Sequence, residues 1–193
     1  MTMEEAKARF TEYLKSHFIR FMEDDECGEN RCCILYTGYE LCPDRRLESS
    51  VWFLPDHMEV RVYYSKSGAR WCRESEYKPQ LMRLLNYINA RAWPMAVDGK
   101  GGALYEPHIL YSPRIYMTED GNCDITLTLP INYTFYETAL LETEDFATAC
   151  CPSLMNSLSP AIFRLLLGDM DVEHAMDFVR VNVLGEDAPS ADE

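Results

Sequence analysis

Four histidines, His17, His57, His108 and His174, are the side chains best suited to moving protons near neutral pH. No two share a catalytic or ligand spacing. His17 lies at the edge of an apolar helical stripe, His57 in the turn Pro55-Asp56-His57, and His174 in the first turn of a helix, so structural roles account for them. Ser75-Glu76-Tyr77-Lys78 has the S-x-x-K spacing of a serine nucleophile with a lysine partner. Its companions S-D-N and K-T-G are missing, and Pro79 makes the segment a helix entry. The loop Asp98-Gly99-Lys100-Gly101-Gly102 lacks the spacing of a phosphate-binding loop, and no dinucleotide fingerprint occurs, so no cofactor is expected. Glu142, Glu144 and Asp145 cluster, but with 32 acidic residues in the chain a pair of carboxylates carries little information. They read as surface charge.

The eight cysteines include the adjacent pairs Cys32-Cys33 and Cys150-Cys151, and none has C-x-x-C spacing. Most therefore read as small buried hydrophobes, and no structural metal is expected. The acidic run from Glu23 to Glu26, followed by Gly28, lacks the D-x-D-x-D-G alternation of a calcium loop and reads as solvated. Asn132-Tyr133-Thr134 is a glycosylation sequon. Met1 to Phe10 lacks the basic region and apolar run of a secretory signal, so the sequon is expected to stay unmodified and the protein cytoplasmic. No segment approaches the roughly 20 apolar residues of a membrane span.

The elements that would position a site follow from periodicity. Thr2 and Glu5 form a capping box, and Ala6, Phe10, Leu14, Phe18 and Phe21 give a helical stripe through about Met22. Cys32–Tyr39, Ser50–Leu54 and Met58–Tyr64 read as strands, the last two as a hairpin, with Lys66-Ser67-Gly68 closing this part of the sheet. Pro79 opens a helix whose stripe is Leu81, Leu84, Leu85, Ile88 and Ala92, ending at Trp93-Pro94. Strands resume from Tyr105 to Thr118, interrupted by Pro113, and from Cys123 to Leu129 after an Asp-Gly turn. The remainder reads as helices: one started by Thr143-Glu144 and interrupted at Pro152, one capped by Ser159-Pro160 and stopped at Gly168, and one capped by Asp171 through Val183. The whole predicts a single α+β domain over residues 1–185: an antiparallel sheet of five to six strands with helices packed on one face. Residues 186–193 read as a disordered acidic tail.

The net charge of −14 is uneven. Residues 1–50 carry −4, residues 51–100 carry +3 and residues 101–193 carry −13. Such a field repels phosphate, which disfavours nucleic acid and suits basic or apolar partners.

The element order resembles that of the YbjN-like family, which shares the fold of type III secretion chaperones. Two stretches carry the resemblance. Leu81 to Arg91 (LMRLLNYINAR) has the amphipathic helix with N-x-x-N at Asn86 and Asn89. Ser159 to Val179 has a terminal helix, Gly168 and a short helix containing Ala175. The resemblance covers most of residues 3–183, and the chain departs from it in its Gly-rich loop after Trp93 and in its cysteine count. It implies a helix-backed sheet, often paired into homodimers, and a binding or regulatory role without catalytic residues.

The expected function is thus a non-catalytic protein-binding module, chaperone-like or a regulatory adaptor for a protein client. The alternatives are a small enzyme with a scattered site and an acidic immunity-type inhibitor. A sheet covered on one side alternates apolar-in and polar-out. Val60, Val62, Ile125, Leu127 and Leu129 form the inward set, and Glu59, Arg61, Asp124 and Thr126 the outward one. Trp52, Tyr63 and Tyr116 break the outward rule, which marks them as the candidate partner-binding residues, with cross-strand stabilisation as the competing reading.

Overall fold

The computed structural model describes residues 1–23, 30–91 and 111–186 together with the short strands Ala96–Val97 and Ala103–Leu104. Helix α1 (Met3–Ser16) opens on the Thr2–Glu5 capping box, and Ala6, Phe10 and Leu14 line its buried side. The stripe does not run on to Met22. Phe18 adopts a left-handed backbone (φ 56°) and is exposed, and the chain turns into strand β1 (Phe21–Glu23). Pairing Phe21 with Ile34 takes the place of further helix, because a strand edge supplies backbone partners that a fraying helix end lacks.

Strands β2 (Arg31–Thr37), β3 (Arg46–Phe53) and β4 (His57–Tyr64) follow as an antiparallel meander. Lys66-Ser67-Gly68 does not close the sheet but begins helix α2 (Lys66–Glu74). Gly68 is needed there because a Cβ would lie 2.8 Å from Tyr64 Cβ and 3.0 Å from the Phe163 ring. Helix α3 (Lys78–Arg91) buries Leu81, Leu84, Leu85 and Ile88, as their spacing predicts; Ala92, Trp93-Pro94 and the Gly-rich loop lie outside the described residues. Strands β5 (Ala96–Val97) and β6 (Ala103–Leu104) pair with each other. Residues 105–110 of the expected Tyr105–Thr118 strand, His108 among them, are not described, and the strand seen is β7 (Arg114–Met117). Cys123, expected to begin the next strand, sits instead at φ 57°, and β8 runs Ile125–Asn132.

The C-terminal helices differ most from expectation. Asn132 caps α4 (Tyr133–Thr138), its side chain accepting from Thr134 N–H at 2.8 Å, so the sequon asparagine serves the fold as a cap. Helix α5 (Leu140–Asp145) continues through a π-helical turn (Phe146–Cys150) into α6 (Cys151–Leu166). Pro152 sits directly after the π-helical turn, in the first turn of α6, and the helical path runs on through it. Ser159 is no cap and Pro160 no first-turn residue, since both lie inside α6. The cost of an interior proline, about 3 kcal/mol, is set against the burial of Leu154, Met155, Leu158, Ile162 and Leu165 along the same helix. Gly168 ends the segment at φ +79°, and Asp171 caps α7 (Val172–Asn182) by accepting from His174 N–H. Of the expected tail, Glu186 bonds back to α7, its N–H donating to Arg180 O at 3.0 Å, and residues 187–193 lie outside the described residues.

The fold is therefore α+β. Six antiparallel strands among the described residues run in the order β1-β2-β3-β4-β8-β7. One face carries Ile34, Leu47, Val51, Phe53, Val60, Val62, Leu127 and Leu129, all buried against the helices. The five inward residues expected from alternation lie in this core. No described helix is long and apolar enough to cross a membrane.

Candidate functional site

The opposite sheet face is where strand alternation leaves side chains with no helix to meet among the described residues. Register fixes its rows. Leu35, Glu48, Tyr63, Thr126 and Tyr116 run side by side across β2, β3, β4, β8 and β7. The next row is Met22, Cys33, Ser50, Arg61, Thr128 and Arg114, and beyond it lie Arg31, Trp52, Glu59 and Pro130. Trp52, Tyr63 and Tyr116 thus share one surface. Tyr63 and Tyr116 flank Thr126, and Trp52 stands two rows away.

Trp52 is the most structured point of this face. The Arg31 guanidinium lies 5.0 Å from its ring and that of Arg61 5.2 Å, both within cation–π range. Arg61 also pairs with Glu59, two residues away on the same side of β4. The indole N–H is buried and has no acceptor among the described residues. Tyr63 is half-buried; its hydroxyl lies 3.4 Å from Ser50 Oγ, and burial raises its pKa. Tyr116, Leu35 and Met22 are exposed. Of the residues expected to be polar and outward, Thr126 is buried between the two tyrosines. Beside Tyr63, where the sheet end meets α2, a depression of about 400 Å³ is lined by Glu48, Lys66, Arg73, Asn122 and Asp124. Burial raises the pKa of Asp124.

Alternation in β4 already places Arg61 outward, but the exposed Leu35 and Met22, and Arg31 beside Trp52, are not among the residues singled out from pattern. Strict alternation through Arg31-Cys32-Cys33-Ile34-Leu35 carries the signal: once Ile34 is inward, Leu35, Cys33 and Arg31 must be outward.

Both sheet edges matter to any docking mode. β7 is an edge strand, and Asn89 of α3 occupies it: Ile115 N–H donates to Asn89 Oδ1 and Asn89 Nδ2 donates to Ile115 O, both at 2.8 Å. A side-chain amide here imitates a neighbouring strand.

The surface reading of Glu142, Glu144 and Asp145 holds for Glu142 and Asp145, which are exposed, and fails at Glu144. Glu144 is fully buried. Its Oε1 accepts from the Tyr136 hydroxyl at 2.8 Å and lies 3.2 Å from Arg9 Nε. Burial raises the Glu144 pKa, against the lowering influence of Tyr136 and Arg9. Next to it the Tyr13 hydroxyl donates to Asp145 at 2.7 Å, and burial pushes its pKa up to about 12. The position is buried because α5 and the π-helical turn pack under α1, with Tyr111 stacked on Phe146 at 4.3 Å. The cluster ties α1 to the C-terminal helices.

The remaining chemical candidates are absorbed by local structure. Ser75 Oγ donates to Leu166 O and accepts from Tyr77 N–H. Lys78 Nζ donates to the Arg73 and Ser75 carbonyls at 2.8 and 2.7 Å, closing the C-terminus of α2. The S-x-x-K spacing is thus a helix-to-helix joint. His17 stacks on Tyr13 at 4.1 Å, while His57 at the start of β4 and His174 in the first turn of α7 bond to Asp56 and Asp171. Among the described residues no three His, Cys, Asp or Glu side chains are placed to hold a metal ion. Of the seven described cysteines, Cys32, Cys42, Cys72 and Cys151 are buried, and burial raises the thiol pKa of Cys42, Cys72 and Cys151. No protein-family model, curated protein or solved structure matches the chain.

Proposed function

We propose that the chain is a non-catalytic protein-binding module, chaperone-like or a regulatory adaptor, that holds a protein client on the open face of its sheet. The observation that carries this reading is the grouping of Trp52, Tyr63 and Tyr116, with Leu35 and Met22, on the face away from the helices. Tyrosine and tryptophan contribute large contact area for little lost conformational freedom, and together with arginine they are enriched among the residues that dominate binding at protein interfaces. Cross-strand stabilisation alone does not require Leu35 and Met22 to stand in solvent beside them. The asparagine bonded along β7 favours contact through the face over strand addition at that edge. An acidic inhibitor plugging a basic partner is supported less, because arginines rather than carboxylates predominate here.

Replacing Trp52 and Tyr63 with Ser tests the reading. The double variant should keep the wild-type melting transition and lose a protein that co-purifies stoichiometrically with wild type from its native cells. Leu35→Ser, at an exposed position, serves as a second probe should the double variant melt early. Retention of the same protein by both variants would refute the proposal.

A further inference from the structure

The open face differs in charge from the rest of the chain. Its strand residues include Arg31, Arg46, Arg61 and Arg114 against Glu48 and Glu59, a net excess of cations on a chain of net charge −14. Arg46 and Arg114 are exposed; Arg46 lies in the field of Asp44, whose carboxyl it helps hold below its usual range, and Arg114 forms no ion pair among the described residues. Arg31 and Arg61 flank Trp52, so the cations and the largest aromatic form one platform. From this sign reversal we infer that the occupant of the face is an acidic, aromatic-bearing segment of a partner protein. The inference rests on the proposed binding role of this face.

The physical argument is complementarity. A guanidinium presents donors in a planar fork that matches a carboxylate. Those of Arg31 and Arg61 are already held against Trp52, and Arg61 pairs with Glu59, so they fix the platform while the exposed Arg46 and Arg114 present the forks that an arriving carboxylate meets. Apolar side chains of the same segment would cover Leu35, Met22 and Tyr116. A second copy of this chain suits the face less well, since a face-to-face pair would bring two cationic surfaces together. Nucleic acid could satisfy the arginines, but the chain's overall field opposes an extended polyanion.

Labelled peptides of equal length and identical aromatic content decide the matter, one rich in Asp and Glu, one rich in Lys and Arg, and one uncharged. By fluorescence anisotropy the acidic peptide should bind best, and more weakly as salt is added. Arg46→Glu with Arg114→Glu should weaken it about tenfold or more, whereas Arg164→Glu on α6 should leave it unchanged. Preference for the basic or uncharged peptide, or indifference to the Arg46 and Arg114 changes, would overturn the inference. Tighter binding of a single-stranded oligonucleotide, or a homodimer dispersed by the same changes, would overturn it in favour of those occupants. If acidic selectivity fails while the Trp52 and Tyr63 variant still loses its client, the occupant is wrong and the binding face stands. If acidic binding survives that variant undiminished, the face itself is wrong.

Discussion

Arg9→Met isolates the buried carboxylate. Glu144 is wholly buried, while the Arg9 side chain keeps 35% of its surface exposed. Removing one partner of a buried pair costs about 3–5 kcal/mol. Solvent screening of the exposed guanidinium brings the expected loss to about 2–3 kcal/mol near pH 7. The pH dependence identifies the cause. Burial already raises the Glu144 pKa in the folded protein, and Arg9 opposes that rise. Without Arg9 the folded pKa climbs further. Between the unfolded value of about 4.3 and the folded value, the native state binds more protons than the unfolded one. Unfolding free energy therefore falls as pH rises through that window. The deficit of the variant should be small near pH 4 and grow toward neutrality. Adding Glu144→Gln, which removes the charge and keeps an acceptor for Tyr136, should recover most of the loss. Urea melts of the three proteins across this pH range read all of it. A deficit that is flat with pH, or a double variant no more stable than Arg9→Met, would show that the charge of Glu144 does not matter.

Leu84→Ala and Ile88→Ala remove side chains buried on the inner face of α3, and each should cost about 2–5 kcal/mol in denaturant melts; losses under about half a kcal/mol for both would mean the helix packs on another face. Gly68→Ala would gain about 1 kcal/mol in an open helix, but the contacts at 2.8 and 3.0 Å to Tyr64 and Phe163 reverse the sign. A net loss of about 1–3 kcal/mol is expected, and a stabilised variant would show that Phe163 yields freely. Burial pushes Tyr13, Tyr111 and Tyr133 up to about 12. The unfolded chain releases these protons near pH 10 while the fold retains them, so stability should decline from pH 10 upward. Ultraviolet titration should find these three phenols still protonated at pH 10, and their release there would contradict their burial.

The sheet was legible where one face meets the helices. Alternation places Val60, Val62, Ile125, Leu127 and Leu129 inward, and helical spacing picks out Leu81, Leu84, Leu85 and Ile88. Two kinds of information were not local. Lys66-Ser67-Gly68 has turn chemistry, yet Gly68 is selected by the approach of Tyr64 and Phe163, far apart in sequence from each other. Glu144 looks like surface charge because its partners Arg9 and Tyr136 are contributed by other helices. Likewise Pro160 reads as a helix start until the burial around it is known. Trp52, Tyr63 and Tyr116 could be singled out from pattern, but their grouping with Leu35 and the arginines needs the order of the strands, which periodicity does not contain.

The paired 2.8 Å bonds between Asn89 and Ile115 bear on how the molecule behaves in a crowded solution. An unpaired strand edge templates the addition of further chains, and proteins escape this by hiding or distorting it. Among the described residues the concealment rests on one amide placed by α3, near the end of that helix. Fraying of the last turn of α3 would withdraw the amide and expose Ile115 before the sheet itself loosened. Partial unfolding at this one corner would therefore create a growing end for strand-to-strand polymers while the rest of the fold remained intact. Asn89→Ala should consequently show itself as accelerated aggregation on mild heating, out of proportion to its effect on the melting temperature.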